Sequence, residues 1–184
     1  MLNTFVVYVE NKPGVLTRVS SLFRRRAFNI DSLTVGRTEK PEVSRMTITV
    51  DADRDQARRI EANLYKLVNV LLVENITHQP AMMRDLAMIK VAATHEARSH
   101  VLELANVFRA RVVDVAPESL TIEITGAEDK IDGLLEVLRP YGVLEMVRTG
   151  IVAMRRGGKG SGASSDIPQG LAQIAPDEGV SYSV

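Results

Sequence analysis

Phe5, Val7 and Val9 recur at every second position near the start of the chain, and that period of two predicts a strand with an apolar face. Helical spacing follows at once. Val15, Val19, Leu22 and Phe23 share one side of a helix, with Arg18, Arg24, Arg25 and Arg26 on the rest of its turn. Residues 30–35 read as a second strand. The polar turn TEKPE (38–42) leads to a third, in which Met46, Ile48 and Val50 alternate with Arg45, Thr47 and Thr49. Residues 51–67 predict a second helix: its acidic start suits the positive end of a helix dipole, and Ala57, Ile60, Leu64 and Leu67 form its apolar face. Residues 68–76 (VNVLLVENI) give a fourth strand. The order is β-α-β-β-α-β, a ferredoxin-like arrangement. Two helices cover only one face of such a sheet, so the other face needs either a polar surface or a partner.

The stretch HQPAMMRD (78–85) interrupts the pattern, and the same order then restarts. Residues 86–91 are a strand, and Ala97, Val101, Leu104, Ala105 and Phe108 lie on a helix face. RVVDV (111–115) and LTIEIT (120–125) are strands on either side of Pro117. Ile131, Leu134, Leu135 and Leu138 make a second helix, stopped by Pro140 and Gly142. VLEMVRTGIVAM (143–154) closes the unit. The fold class is therefore α+β, two tandem ferredoxin-like βαββαβ units. The boundaries are a first domain over 1–78, a linker over 79–83, a second domain over 84–155, and a tail over 156–184. Gly, Ser, Pro and polar residues without periodicity predict that the tail is flexible.

Composition narrows the function classes. Lys plus Arg and Asp plus Glu balance at 23 each, so no net field draws the chain to nucleic acid or an anionic membrane. The chain has no Cys, which removes disulfides, thiolate chemistry and Cys-based metal sites and suits a reducing cytoplasm. The start, MLNTFVVYVEN, lacks the basic region and apolar stretch of a secretion signal, and no apolar run approaches the ~18 residues of a membrane span. The expectation is a soluble, cytoplasmic protein.

No catalytic constellation assembles. His78 lies in the interdomain stretch, and His95 and His100 lack the i,i+4 spacing of a helical metal pair. The acidic residues fit helix starts. Neither the dinucleotide nor the mononucleotide glycine signature occurs in a strand–helix context, and RRGGKGSG (155–162) falls in the tail. The expectation is no catalytic residue, no metal and no cofactor in this chain. Arg24, Arg25 and Arg26 stand at a helix C-terminus, where cations offset the dipole, and no aromatic pair of the RNA-binding kind lies on the neighbouring strands.

What remains is the turn NKPGVL (11–16). Pro13 suits a turn, and Gly14 permits a positive φ or close backbone approach. The amides of Val15 and Leu16, at a helix N-terminus, can hold a carboxylate, and Asn11 adds a donor and an acceptor beside them. An α-amino acid needs that set together with an apolar wall. From residue chemistry alone, a ligand site and a plain turn are equally good readings.

The stretch ENKPGVLTRVSSLFRRRAFNIDSLTVGRTEKPEVSRMTI resembles the amino-terminal ACT domain of the regulatory small subunit of acetohydroxyacid synthase (AHAS, acetolactate synthase). The Asn-x-x-Gly-x-Leu turn is common to ACT domains generally. FNIDSLTV and SRMTI are more specific to this family. The resemblance continues through LYKLVNVLLV, RDLAMIKV, FRARVVDV and GLLEVLRPYGVLEMVRTGIVAM, covering residues 2 to about 155.

The resemblance implies a non-catalytic subunit in branched-chain amino-acid biosynthesis. It would bind and activate a catalytic large subunit, on which thiamine diphosphate, Mg2+ and FAD are expected. It would also confer feedback inhibition by valine bound between the ACT domains of a homodimer. Asn11, Gly14, Val15 and Leu16 are the implied effector residues on one chain, with Asn29 and Ile30 closing the pocket from the facing chain. Leu33 and Val35 are implied pocket-wall or interface residues. Leucine or isoleucine is expected to act weakly too, since one methylene distinguishes ligands by only ~1–3 kcal/mol. The alternatives are a free-standing ACT-type amino-acid sensor acting on another enzyme, and a small enzyme on the same scaffold.

Overall fold

The computed structural model describes residues 1–157, so the expected tail lies outside the described residues from position 158 onward. Two sheets run through the chain. The first unit is β1 (Leu2–Glu10), α1 (Val15–Arg25), β2 (Ile30–Arg37), β3 (Val43–Asp51), α2 (Arg54–Leu64) and β4 (Val70–Asn75). Its antiparallel sheet has the order β2-β3-β1-β4. The second unit is β5 (Ala81–Ala92), α3 (His95–Val107), β6 (Arg111–Ala116), β7 (Ser119–Gly126), α4 (Glu128–Leu138), β8 (Val143–Arg148) and β9 (Val152–Arg155). Its order is β6-β7-β5-β8, with β9 also paired to β5. Two tandem ferredoxin-like units are what the periodicity predicts.

The helices form where the apolar stripes lie. Val15, Val19 and Phe23 of α1 and Ala57, Ile60 and Leu64 of α2 pack on Phe5, Val7, Val9, Met46, Ile48 and Val50. The second helix is shorter than the 51–67 expected. Asp53 is its N-cap, accepting from the Gln56 amide at 2.8 Å while Gln56 Oε1 accepts from the Asp53 amide at 2.9 Å. This capping box fixes the helix start at Arg54, three residues after Asp51. In the second unit, Val101 and Ala105 of α3 and Ile131, Leu134 and Leu138 of α4 cover Ala87, Ile89, Val91, Leu120, Ile122 and Ile124.

The repetition extends to irregularities. Both α1 and α3 end in a turn with a non-glycine residue in the left-handed region, Ala27 at φ 55° and Arg109 at φ 52°. In each, the following amide reaches back: Phe28 to the Phe23 carbonyl at 3.1 Å, Ala110 to the Ala105 carbonyl at 2.8 Å. This is a Schellman turn, which satisfies carbonyls that the helix end leaves open. The strands that follow carry matching irregularities in register, between Ile30 and Ser32 and between Val112 and Asp114.

Three expectations change. The second unit's first strand begins at Ala81, so the stretch read as a linker over 79–83 already holds strand residues. The segment 143–154 is two strands, β8 and β9, separated by Thr149, Gly150 and Ile151. β8 pairs with the later part of β5 (Ala87 opposite Arg148) and β9 with its beginning (Met83 opposite Ala153).

The third concerns the uncovered face of the first sheet, where much of the cover comes from the same chain. Val6, Tyr8, Val43 and Ile76 are buried there with Ile151 and Ala153, and Ala81 and Met83 pack against them. The odd-numbered face of β5 thus serves two cores. Ala81 and Met83 lie on the first sheet, whereas Ala87, Ile89 and Val91 lie under α3 and α4.

Candidate functional site

The turn between β1 and α1 owes its shape to Gly14, which has φ 80° and ψ −6° and forms the N-cap of α1. A residue with a Cβ adopts that conformation only with strain. Beyond the glycine, the Val15 amide approaches the Lys12 carbonyl at a long 3.4 Å, and the Arg18 amide donates to the Gly14 carbonyl at 3.1 Å. The Leu16 and Thr17 amides, between them, lack an intrahelical acceptor, as first-turn donors do. The site therefore has open N–H groups at the positive end of a helix dipole, with no acidic side chain in the first turn of α1.

Asn11 braces this turn. Its amide nitrogen donates to the Pro41 carbonyl at 2.8 Å, its Oδ1 accepts from Ser44 Oγ at 3.1 Å, and its backbone N–H donates to the Glu42 carbonyl at 2.7 Å. One amide hydrogen and one lone pair of the side chain stay available to a ligand. The sequence shows Asn11 only as a donor and an acceptor beside the turn. Its attachment to the β2–β3 hairpin came to light only with the strand register.

The remaining predicted residues divide into two places. Val15 is buried in the core against α2 and the sheet, so only its backbone can face a ligand. Leu16 is 44% exposed beside the turn, and Val35 is 42% exposed on the edge strand β2. Val35 pairs with Met46 and Arg37 with Ser44, the partner of Asn11, so Val35 lies at the Asn11 end of the sheet. Leu33 sits further along β2, partly buried against the core.

Asn29 and Ile30 lie at the opposite end, after the C-terminal turn of α1, where Ile30 pairs with Val50. Asn29 is exposed and Ile30 half-buried. The 11 residues of α1 separate the two groups, roughly 16 Å at 1.5 Å per residue. Within one chain Asn11, Gly14 and Leu16 belong to one turn and Val35 lies at the same end of the sheet, whereas Asn29 and Ile30 lie beyond the other end of α1.

The second unit has no such turn. Thr94, His95 and Glu96 occupy the corresponding place before and inside α3, and Glu96 puts a carboxylate in its first turn. An incoming carboxylate would meet a like charge there. Among the described residues no group of three His, Cys, Asp or Glu side chains is placed to hold a metal ion, and no helix is long and apolar enough to cross a membrane.

The junction between units was not foreseen. Ser32 Oγ accepts from the Ile151 amide at 3.0 Å, and Thr34 Oγ1 donates to the Ile151 carbonyl at 3.1 Å. Arg45 lies over the Tyr8 ring, 5.7 Å from its centroid, and its guanidinium donates to the Ala153 carbonyl. Behind the junction, buried Asp85 accepts from Arg148 Nε at 2.6 Å and from Thr149 Oγ1 at 3.0 Å. Burial works against the Arg148 charge, but the hydrogen bond and charge of Asp85, with help from Asp132 and Glu128, outweigh it and raise the guanidinium pKa. A signal existed for the buried outer face: residues 5–9 read FVVYV, an unbroken apolar run typical of a strand covered on both sides.

Comparison with known proteins agrees with this architecture. Residues 5–72 match the family model of the AHAS small subunit-like ACT domain, and residues 84–157 match that of the small subunit of acetolactate synthase. The chain is 50% identical over 159 residues to a probable acetolactate synthase small subunit of Archaeoglobus fulgidus, covering 86% of this chain and 99% of that one. It is 49% identical over 162 residues to the acetolactate synthase small subunit of Mycolicibacterium smegmatis, covering 88% and 95%. Among solved structures, that of an acetolactate synthase small subunit from Thermotoga maritima superposes with a TM-score of 0.80 at 39% identity, covering 86% of this chain and 99% of that one.

Proposed function

Because the chain belongs to the family of acetolactate synthase small subunits, we propose that it activates the thiamine-diphosphate-dependent large subunit and makes that enzyme sensitive to valine. Membership of the family implies a catalytic large subunit as partner. The sensing function rests on the turn at Gly14. The α-carboxylate of valine lies against the Leu16 and Thr17 amides, its ammonium group uses the spare acceptor capacity of Asn11, and its isopropyl group meets Leu16 and Val35.

The observation that carries this reading is the separation of Asn11 from Asn29 along α1. A pocket using both needs two chains. β2 is the outermost strand of its sheet and has an open backbone edge among the described residues. Antiparallel pairing of β2 with β2 of a second copy, about a two-fold axis, sets the Ile30 end of one strand beside the Arg37 end of the other. Asn29 and Ile30 of one protomer then face the Asn11–Leu16 turn of its partner. Valine binds best to one arrangement of that dimer, and the difference in affinity biases the contact with the large subunit.

Thermal denaturation with added amino acids tests the sensor. A ligand bound only by the native state at a hundredfold excess over its Kd adds about 2.7 kcal/mol. Valine raises the melting temperature on this account, leucine and isoleucine raise it less, and glutamate leaves it unchanged. No shift with any branched-chain amino acid removes the sensing role.

A further inference from the structure

Between α1 and α2 lies a cleft of about 340 Å3 that shares only Thr17 with the site above. Its floor is Leu22 and Leu67, and Arg18, Arg25, Arg26 and Lys66 stand around it. No carboxylate lines it. Arg18 donates to Asn69 Oδ1 at 2.6 Å and Arg26 to Asn63 Oδ1 at 3.3 Å, so neutral amides hold two of the cations in place. The side chains of Arg25 and Lys66 have no hydrogen-bond or ion-pair partner among the described residues.

Four positive charges thus surround one cleft with no carboxylate in its lining, in a chain whose charges balance at 23 each; the nearest link to one is through Asn69, which also donates to Glu10. Helix-dipole pairing accounts for Arg25 and Arg26, in the last turn and at the C-cap of α1. Lys66, directly after the C-cap Tyr65 of α2, has the same favourable place at that helix end, and only Arg18 is left without this explanation. The corresponding helical layer of the second unit has the opposite character, with Glu103, Glu128, Asp129 and Glu136 exposed on α3 and α4. The cations are therefore a feature of one face.

We infer that this cleft docks an acidic segment of the catalytic large subunit. The inference rests on the reading of the chain as that enzyme's regulatory subunit. Two other faces of the first unit are in use: the outer sheet face carries Ile151 and Ala153 of the second unit, and the β2 edge and Gly14 turn belong to the effector site. The α1/α2 layer is the helical face of this unit and stays open to a partner, and its charge selects an acidic one. Its apolar floor suits the aliphatic parts of a protein segment. α1 also supplies the link to regulation. The helix carries the ligand-facing amides at its start and Arg18, Arg25 and Arg26 along its length, so a ligand-induced shift of this one rigid element reaches the docking surface.

The test titrates purified large subunit with the full-length chain and reads enzyme activity at several salt concentrations. The double variant R25E/K66E changes two exposed side chains without partners. It is compared with R111E/R139E, the same charge change on the second unit. The first variant needs about tenfold or more of the chain for half-maximal activation, with a weaker dependence on salt, and keeps its valine-induced thermal shift. The control stays within about twofold of wild type. Equal half-maximal concentrations for R25E/K66E and wild type overturn the docking assignment alone. If inorganic phosphate stabilises wild type but not R25E/K66E while activation is unchanged, the cleft is a small-anion site and the assignment again fails. Failure of the wild-type chain to activate at all overturns the functional reading and this inference together.

Discussion

Gly150 stands against Ser32 across the junction of the two units: a Cβ added to the glycine would lie 2.7 Å from Ser32 Oγ and 3.3 Å from Thr34 Oγ1. Its φ of 83° disfavours a side chain for a second, independent reason. The glycine lets the β8–β9 connection approach β2 closely enough for Ile151 to hydrogen-bond both hydroxyls. Since β2 also carries Leu33 and Val35 on its other face, the strand beside the proposed effector site is tied directly to the second unit.

Gly150→Ala therefore destabilises the protein by about 1–3 kcal/mol, from backbone strain and overpacking together. Ser32→Ala alone costs less, about 1 kcal/mol for one hydrogen bond. Because Ser32 Oγ is the nearest obstacle, the double variant costs less than the sum of the two. Urea denaturation of the four proteins measures that coupling, and strict additivity would show that the two residues do not meet.

Asp85 and Arg148 provide a second check on the junction. Asp85→Ala leaves a partly buried guanidinium without its nearest counter-charge and costs about 3 kcal/mol. Asp85→Leu combined with Arg148→Met removes both charges and is less damaging than Asp85→Ala. Comparison of their denaturation midpoints decides this, and equal loss in both would mean that the lost shape, and not the lost charge, destabilises.

Ala27→Gly relieves a left-handed residue at the end of α1 and raises stability by about 1 kcal/mol. The same change at Arg109 has the same sign. A melting temperature lowered by either would contradict the turn geometry described for both helices.

Much of the fold was legible because apolar periodicity survives in nearly every element. The stripe Val15–Val19–Phe23 and the alternation Met46–Ile48–Val50 each specify a period and a face. The junction was not legible. The pairing of Ala81–Arg84 with β9 joins segments about seventy residues apart in sequence, and a local pattern cannot carry such a pairing. Thr47 and Thr49 look solvent-facing by alternation, yet both are buried, Thr47 accepting from Arg45 and Thr49 donating to Asp31 and the Ser32 carbonyl. At the candidate site, the Asn-x-x-Gly turn announced itself through the need for a positive φ at Gly14. The tie of Asn11 to Pro41 and Ser44 did not, since it depends on the pairing of β1 with β3.

Gly14→Asp separates ligand binding from folding. No atom lies within 4 Å of the position where a Cβ would be built, so the new side chain has room, and aspartate tolerates the left-handed region better than most residues. The variant folds, with a loss of about 1 kcal/mol. Its carboxylate takes the place of the valine carboxylate and abolishes the valine-induced thermal shift. A folded variant with a full shift would place the effector elsewhere.

Reconstitution of acetolactate synthase from its large subunit and this chain, assayed with and without valine, tests the central claim most directly. The account predicts that adding the chain raises activity, that valine lowers the activity of the mixture, and that Gly14→Asp keeps the activation while losing the inhibition. Activity of the mixture equal to that of the large subunit alone, with or without valine, would contradict it.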